Sequence, residues 1–334
     1  MMIPFILKMT CFCHLLSIVL SFSTTLVIEK QYVNDLIGIK ITVNGSTPGP
    51  VLHLQVGELV EISVINKIYD DVTTVHWHGF FQNETPFSDG IIGVTQCPIS
   101  NVEGYNVMTY KFFAQNDPGT FWYHGHFDDQ YPDGLIGAII INSPTEKAVL
   151  QAEGGHYDLD IDDFVLMVAD YYESPAKLLL PVYLSPASGG DEPMPDAFIV
   201  NGKLSEKWSI KVSKSMIYRV RVINGAAFSM FNVTVDGMPL KIVEIDGRLV
   251  TPFTVSYFVL NVAQRVNFLL DFSKLNSTLK GSPAIWIRFE GMRDMYPTYN
   301  ETEKHLGLYG NTNAIIILYV TLFKYLIYTN RQHI

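Results

Sequence analysis

The hydrophobic period of this chain is two residues nearly everywhere, which restricts the folds open to it. Residues 59–65 read L-V-E-I-S-V-I and residues 218–223 read Y-R-V-R-V-I. Such alternation puts every second side chain on one face of a strand. Short apolar runs at 139–141, 164–168 and 266–270 add further strands. Between them stand turn residues: Asn44-Gly45, Pro48-Gly49-Pro50, Asn201-Gly202 and Asp246-Gly247, which supply the positive or fixed φ angles of tight turns. No segment keeps a long 3.6-residue period. The chain is expected to be all-β, built as sandwiches of many short strands.

An internal repeat divides it. Val43-Asn44-Gly45 recurs as Val200-Asn201-Gly202, 157 positions on, and Val64-Ile65-Asn66 recurs as Val222-Ile223-Asn224, 158 positions on. Two matches in near register predict tandem domains. The joint falls near 142–162, around Ser143-Pro144 and Gly154-Gly155. The expected division is a first domain at 24–145, a linker at 146–160 and a second domain at 161–315. Residues 314–328 are apolar and aromatic except for Thr321 and Lys324, and the run is short for a membrane span of about 20 residues. Residues 316–334 are set apart as an atypical apolar tail; a last strand, an anchor and unrelated sequence all stay open.

The N-terminus reads as a targeting segment. Lys8 is the sole charge in the first 28 residues, 15–27 is uncharged and mostly apolar, and Ser21 and Ser23 are small. A cleaved signal peptide at 1–23 is expected, with a membrane anchor as the rival reading. Its removal leaves about 311 residues, enough for two ordinary domains. Five N-x-S/T sequons, at Asn44, Asn83, Asn232, Asn276 and Asn300, also point to a secreted glycoprotein. Without Lys8 the chain carries 22 basic and 33 acidic side chains. With no basic patch, phosphate backbones repel it and nucleic-acid binding is excluded. Cys11 and Cys13 fall in the signal, leaving Cys97 alone: either a thiol without its partner or a small buried apolar residue.

Four histidines stand in two pairs, His76-Trp77-His78 and His124-Gly125-His126. On a strand, residues i and i+2 share a face, so each pair presents two imidazoles side by side. One such pair is as readily a solvent-facing accident as a site. Two in one domain, each beside aromatics and a glycine, point to a metal, and imidazole suits copper or zinc with Cu(II) bound more tightly.

The first pair continues through Gly79, Gln82, Pro86, Phe87, Ser88, Asp89 and Gly90 to Thr95-Gln96-Cys97-Pro98-Ile99. The second lies in Gly119-Thr120-Phe121-Trp122-Tyr123-His124-Gly125-His126, followed by Asp133-Gly134-Leu135 and Gly137. These segments resemble the first two copper motifs of laccase-like multicopper oxidases, and the likeness extends over residues 35–315. It implies two tandem cupredoxin-like Greek-key β-sandwiches. It further implies copper as cofactor, with His76 on the type 2 ion, His78 and His124 sharing one type 3 ion and His126 on the other. Asp89 would lie beyond the ligands and manage protons during oxygen reduction, and Phe121, Trp122 and Tyr123 would pack around the site. The implied reaction is one-electron oxidation of phenols, aromatic amines or Fe(II), coupled to reduction of O2 to water, so the implied partners are molecular oxygen and a small reducing substrate.

The departures matter as much. Fully active members carry a further cupredoxin domain with an H-x-x-H-x-H run and a His-Cys-His stretch, which hold the type 1 copper and the rest of the trinuclear cluster. Neither pattern occurs here. His53, His156, His305 and His333 stand isolated and are expected to be surface or packing residues. The chain as written is therefore expected to be catalytically incomplete. A secreted copper-binding or scaffold protein is the alternative, and a product continuing into the further domain is a third. Phenol and Fe(II) are equally open as substrates. In several relatives a cysteine at the position of Cys97 bridges to the last domain; unpaired, Cys97 is expected to form disulfide-linked dimers.

Overall fold

The computed structural model describes residues 21–34, 36–204, 209–274, 284–292, 295 and 313–321. Residues 1–20 of the expected signal, Cys11, Cys13, Asn276, Asn300, His305, His333 and the tail beyond 321 lie outside the described residues, whereas the last three residues of that expected signal, Ser21, Phe22 and Ser23, open the first strand and pair with Leu59, Val60 and Glu61.

The first half forms β1 (Ser21–Tyr32), β2 (Ile39–Val43), β3 (Leu52–Gln55), β4 (Leu59–Asn66), β5 (Val75–His78), β6 (Val107–Phe113), β7 (Gly119–Gly125) and β8 (Ile136–Asn142). They make two sheets, ordered β2-β1-β4-β6 and β3-β8-β7-β5. Alternation explains how the sheets meet: along β4, Val60, Ile62 and Val64 are fully buried while their neighbours are half-exposed. These side chains share one core with Leu54, Trp77, Phe121, Tyr123 and Ile139 from the facing sheet.

A short helix, α1 (Glu146–Ala152), occupies the expected linker. After it come β9 (Leu159–Tyr171), then α2 (Ala176–Tyr183), β10 (Ala197–Val200), β11 (Lys203–Leu204), β12 (Ser209–Ser213) and β13 (Ile217–Asn224). The chain continues through β14 (Phe231–Val235), β15 (Leu240–Ile245), β16 (Arg248–Val255), β17 (Phe258–Leu260), β18 (Arg265–Asp271), β19 (Ala284–Gly291) and β20 (Asn313–Thr321). The sheets are β11-β10-β9-β13-β18-β15-β16 and β12-β20-β19-β14-β17.

The repeat is structural. Asn44-Gly45 and Asn201-Gly202 both take positive φ at the two turn positions, at 52° and 81° in one and 48° and 71° in the other, as a two-residue type I′ turn requires. Asn66 and Asn224 end β4 and β13 in the same way. The side-chain oxygen of Asn66 accepts from the Ile68 amide and that of Asn224 from the Ala226 amide. The Nδ2 group of Asn66 donates to Asp71 O and Ile99 O, and that of Asn224 to Ser229 O and Leu260 O. Strand pairings repeat as well. β1 runs parallel to β4 as β9 does to β13, and β3 runs parallel to β8 as β12 does to β20. The strand Asn313–Thr321 therefore stands in the second sandwich where β8 stands in the first, and it runs across residue 315, placed at the domain end from sequence.

Between the sandwiches lies a second kind of core. Trp122, Ile136, Ala138 and Ile140 of the first pack against Val165, Met167, Ala169, Ile199 and Ile223 of the second. Beside this apolar patch is a buried polar joint. Glu244 Oε1 accepts from the Thr120 amide at 2.7 Å, and Glu244 Oε2 meets Arg219 at 2.5 Å and Asn267 at 2.7 Å. Arg221 donates to Thr120 Oγ1 at 2.8 Å and holds Asp160 through two nitrogens. Glu146, in α1, pairs with Arg219 at 2.8 Å. Burial alone would lower the Arg219 pKa, but the charges of Glu244, Glu146 and Asp160 outweigh it and raise the value. The arginines of Y-R-V-R-V-I thus point into the domain joint instead of water.

Removing one member of a buried ion network strands the others, so Glu244→Ala should cost about 3–5 kcal/mol. Arg248→Ala, which breaks an exposed pair with Asp117, should cost at most about 1 kcal/mol. Urea unfolding of the two variants checks both; equal midpoints would contradict this account of the joint.

Candidate metal centre

β5 and β7 pair antiparallel with His76 opposite His124 and His78 opposite Trp122. The alternate residues Trp77, Phe121 and Tyr123 fill the sandwich core, and the imidazoles stand on the other face. Glycines make the loops fit. Gly79 has φ +90°, and a Cβ there would lie 2.7 Å from Arg265 Nη2 and 2.9 Å from the Phe121 ring. Gly90, at φ +88°, passes so close to β5 that a Cβ would meet the Val75 carbonyl at 1.8 Å. That approach carries the preceding residue, Asp89, to His76.

The four rings converge. His76 lies 5.6, 5.2 and 5.4 Å from His78, His124 and His126, centroid to centroid, and His124 lies 5.8 Å from His126. Ligand nitrogens of His76, His78 and His124 all lie within 4.8 Å of one another; among the described residues no other group of three or more His, Cys, Asp and Glu side chains is so placed. Carbonyl partners fix two tautomers. Nδ1 of His76 donates to Asp89 O at 2.8 Å and Nδ1 of His124 to Gly125 O at 2.9 Å, which leaves each Nε2 with its lone pair free. His78 Nδ1 faces His124 Nε2 at 3.4 Å. His124 Nε2, with its proton on the other nitrogen, can accept from His78 Nδ1 here, and a cation binding between them would take the place of that shared proton.

The surroundings of His76, His78 and His124 favour the neutral imidazole, as metal ligation needs. Burial lowers the pKa of His78 to about 4, helped by the charge of Arg265 and by His76 and His126. Burial takes His124 to about 3 and lowers His76 as well. Arg265 comes from the second sandwich, donates to Thr120 O at 3.1 Å and lies over the Phe121 ring.

All four histidines expected as ligands are thus brought together, with His126 at the exposed edge. Asp89 is present too, but its nearest contact with His76 is through the main-chain carbonyl; its carboxylate stands off at 3.4 Å. Phe121 and Tyr123 pack in the core, whereas Trp122 faces the histidines, 4.4 Å from His124 and 5.0 Å from His78 between ring centroids. His53 and His156 lie away, paired with Asp162 and Asp158. Sequence reasoning missed Arg265 and Tyr131, whose ring is 5.4 Å from His124. The alternation of β7 could have placed Trp122 on the histidine face; nothing local marks Arg265, which arrives through the domain joint.

Metal-free protein should respond to pH through these rings. Between about 4 and 6.5 the unfolded chain binds protons that folded His78 and His124 refuse, so stability should rise with pH across that window and fall on acidification. Urea midpoints at several pH values measure the slope. A His78→Gln/His124→Gln variant should flatten it, and an unchanged slope would contradict the burial of these rings.

Two family profiles of the multicopper oxidases match residues 29–146 and 162–287. Among curated relatives, the laccase of Trametes maxima is 33% identical over 287 residues, covering 78% of this chain and 54% of its own. The iron transport multicopper oxidase fetC of Epichloe festucae is 34% identical over 267 residues, covering 78% and 40%. The chain thus spans about half the length of these relatives. Among solved structures, Fet3p, a multicopper oxidase that functions in iron import, superposes with a TM-score of 0.76 at 24% identity, covering 94% of this chain and 56% of that one. The laccase of Botrytis aclada gives 0.73 at 26%, covering 89% and 52%. Paired cupredoxin-like sandwiches, converging histidines and matches along both halves agree: this chain belongs to the multicopper oxidase family, on its laccase-like branch.

Proposed function

We propose that this chain is the copper-binding N-terminal portion of a laccase-like oxidase and contributes half the ligands of a trinuclear cluster. In this reading His76 holds the type 2 ion, His78 and His124 share one type 3 ion, and His126 holds the other. The observation that carries it is the convergence of His76, His78 and His124 nitrogens within 4.8 Å, with the rings kept neutral by burial. Bound copper would supply the one-electron chemistry that couples oxidation of a small reductant to reduction of O2 to water.

The chain's own residues hold the ligands in place. The Asp89 carbonyl orients His76, and its carboxylate, 3.4 Å from the same nitrogen, is placed to store or pass a proton. Trp122 closes the inner side against water. Turnover depends on the remaining cluster ligands and a type 1 copper, which in the family come from a further cupredoxin domain. The named relatives include a laccase and an iron transporter's oxidase, so phenols and Fe(II) stay equally open as substrates.

Secretion accords with the apolar start and the sequons. Of the latter, Asn83 sits exposed in a turn, whereas Asn232 is half-buried in β14. Among the described residues no helix is long and apolar enough to cross a membrane.

The chain should bind Cu(II) ahead of zinc, with a type 2 spectrum and no intense blue colour. His78→Ala and His124→Ala should each weaken binding at least about tenfold, while His53→Ala should not. Equilibrium dialysis and visible spectroscopy measure this. Oxidation of a phenolic dye by the chain alone would overturn the half-cluster reading. Cys97 is exposed and unpaired, so under oxidising conditions non-reducing gels should show covalent dimers that Cys97→Ser abolishes. Loss of copper with that substitution would make Cys97 a ligand and contradict the assignment.

A further inference from the structure

Where the loop after β7 meets α2 and the second sandwich, a cavity of about 190 Å³ opens. Its walls carry four aromatic rings, Tyr131, Tyr172, Tyr183 and Phe228, and two carboxylates, Asp129 and Glu192. No lysine, arginine or histidine lines it. A third carboxylate, Asp170, is 2% exposed and stands behind the Ala227–Phe228 wall. Its Oδ2 accepts the amides of Ala227, Phe228 and Ser229 at 3.0, 2.7 and 3.2 Å, and the Ser229 side chain bonds the same carboxyl group.

Negative charge gathered in a partly dry place without a counter-charge is costly. Burial, and then the neighbouring Asp128, raise the Asp129 carboxyl above its ordinary range. A cation would reverse that cost. Magnesium and calcium seek shells of six or more oxygens, which walls made of rings do not offer. A positive charge spread over carbon does suit them, because ring faces are electron-rich and an alkylated ammonium holds its own water loosely. An anion would meet carboxylates, and a neutral aromatic would leave them uncompensated.

We propose that this cavity binds a small organic ammonium ion of about the size of choline, with its charged head among Tyr131, Tyr172, Tyr183 and Phe228 and balanced by Asp129 and Glu192. Tyr131 forms the partition between this cavity and the histidine cluster, since its ring touches His124 on the other side. The two sites are therefore neighbours with separate chemistry, and the cavity should work without copper.

Calorimetric titration of the metal-free chain with choline and with 3,3-dimethylbutan-1-ol, its uncharged isostere, tests the proposal. Choline should bind at least about tenfold more tightly than the alcohol. Asp129→Asn and Tyr183→Leu should each weaken choline by about tenfold, and Tyr183→Phe, which keeps the ring but loses the hydroxyl that donates to Glu192, should bind more tightly than Tyr183→Leu. Glu192→Gln, at an exposed position, should show a similar loss with no burden on folding, which circular dichroism confirms. Equal affinity for choline and the alcohol, no choline binding at all, or undiminished binding by folded Glu192→Gln would each overturn the proposal.

Discussion

The antiparallel register of β5 against β7 sets His76 opposite His124, and side-chain alternation along the two strands fixes what else shares their face. A slip of one residue would turn the imidazoles into the sandwich core and bring Trp77 and Tyr123 out. The core resists that slip with large, fully buried rings. Trp77 packs edge-on to Tyr110, and Tyr123 reaches over Gly49 and Gly137 to donate to Pro50 O at 3.0 Å. Both glycines lie so near the Tyr123 hydroxyl that any side chain there would displace the ring. The histidine positions are thus inherited from hydrophobic packing on the opposite face of the same strands.

β7 is also where the second sandwich takes hold. Thr120 is bound by Glu244, Arg221, Asn267 and Arg265, and Gly119 lies against the backbone of Gly247. Two residues on, Trp122 faces both the interdomain core and the imidazoles. A strand fixed by partners on both sides has little freedom to let ligands drift, which a multi-histidine site needs. The second sandwich therefore supports the site although it contributes none of the four imidazoles, and through Arg265 it also helps hold His78 neutral.

Much of this was legible in the sequence because the signals were local. Period-two alternation announced strands, Asn-Gly turns announced hairpins, and two His-x-His pairs announced a cluster. The resemblance carried by the segments around them announced the family. Other features were not legible because they arise from contacts distant in sequence. Glu146 looked like part of a linker, yet α1 delivers it to Arg219, 73 positions on. The apolar run after 313 looked foreign because its pairing partners, β12 and β19, are set by topology that no short motif encodes. The resemblance points to the Asp89 carboxylate, whereas the Asp89 carbonyl makes the closer contact with His76, 2.8 Å against 3.4 Å.

In the proposed site imidazoles, and not Cys97 or carboxylates, receive the metal. X-ray absorption and pulsed electron paramagnetic resonance of the copper-loaded chain report the ligand atoms directly. The expected first shell is nitrogen at histidine distances, about 2.0 Å as for other first-row ions on imidazole, with two coupled imidazoles on the ion shared by His78 and His124. His78→Ala/His124→Ala should remove the two-imidazole signal, and Ala at His76 and His126 as well should remove imidazole coupling altogether. A copper–sulfur distance, or imidazole couplings that persist in the quadruple variant, would show other ligands.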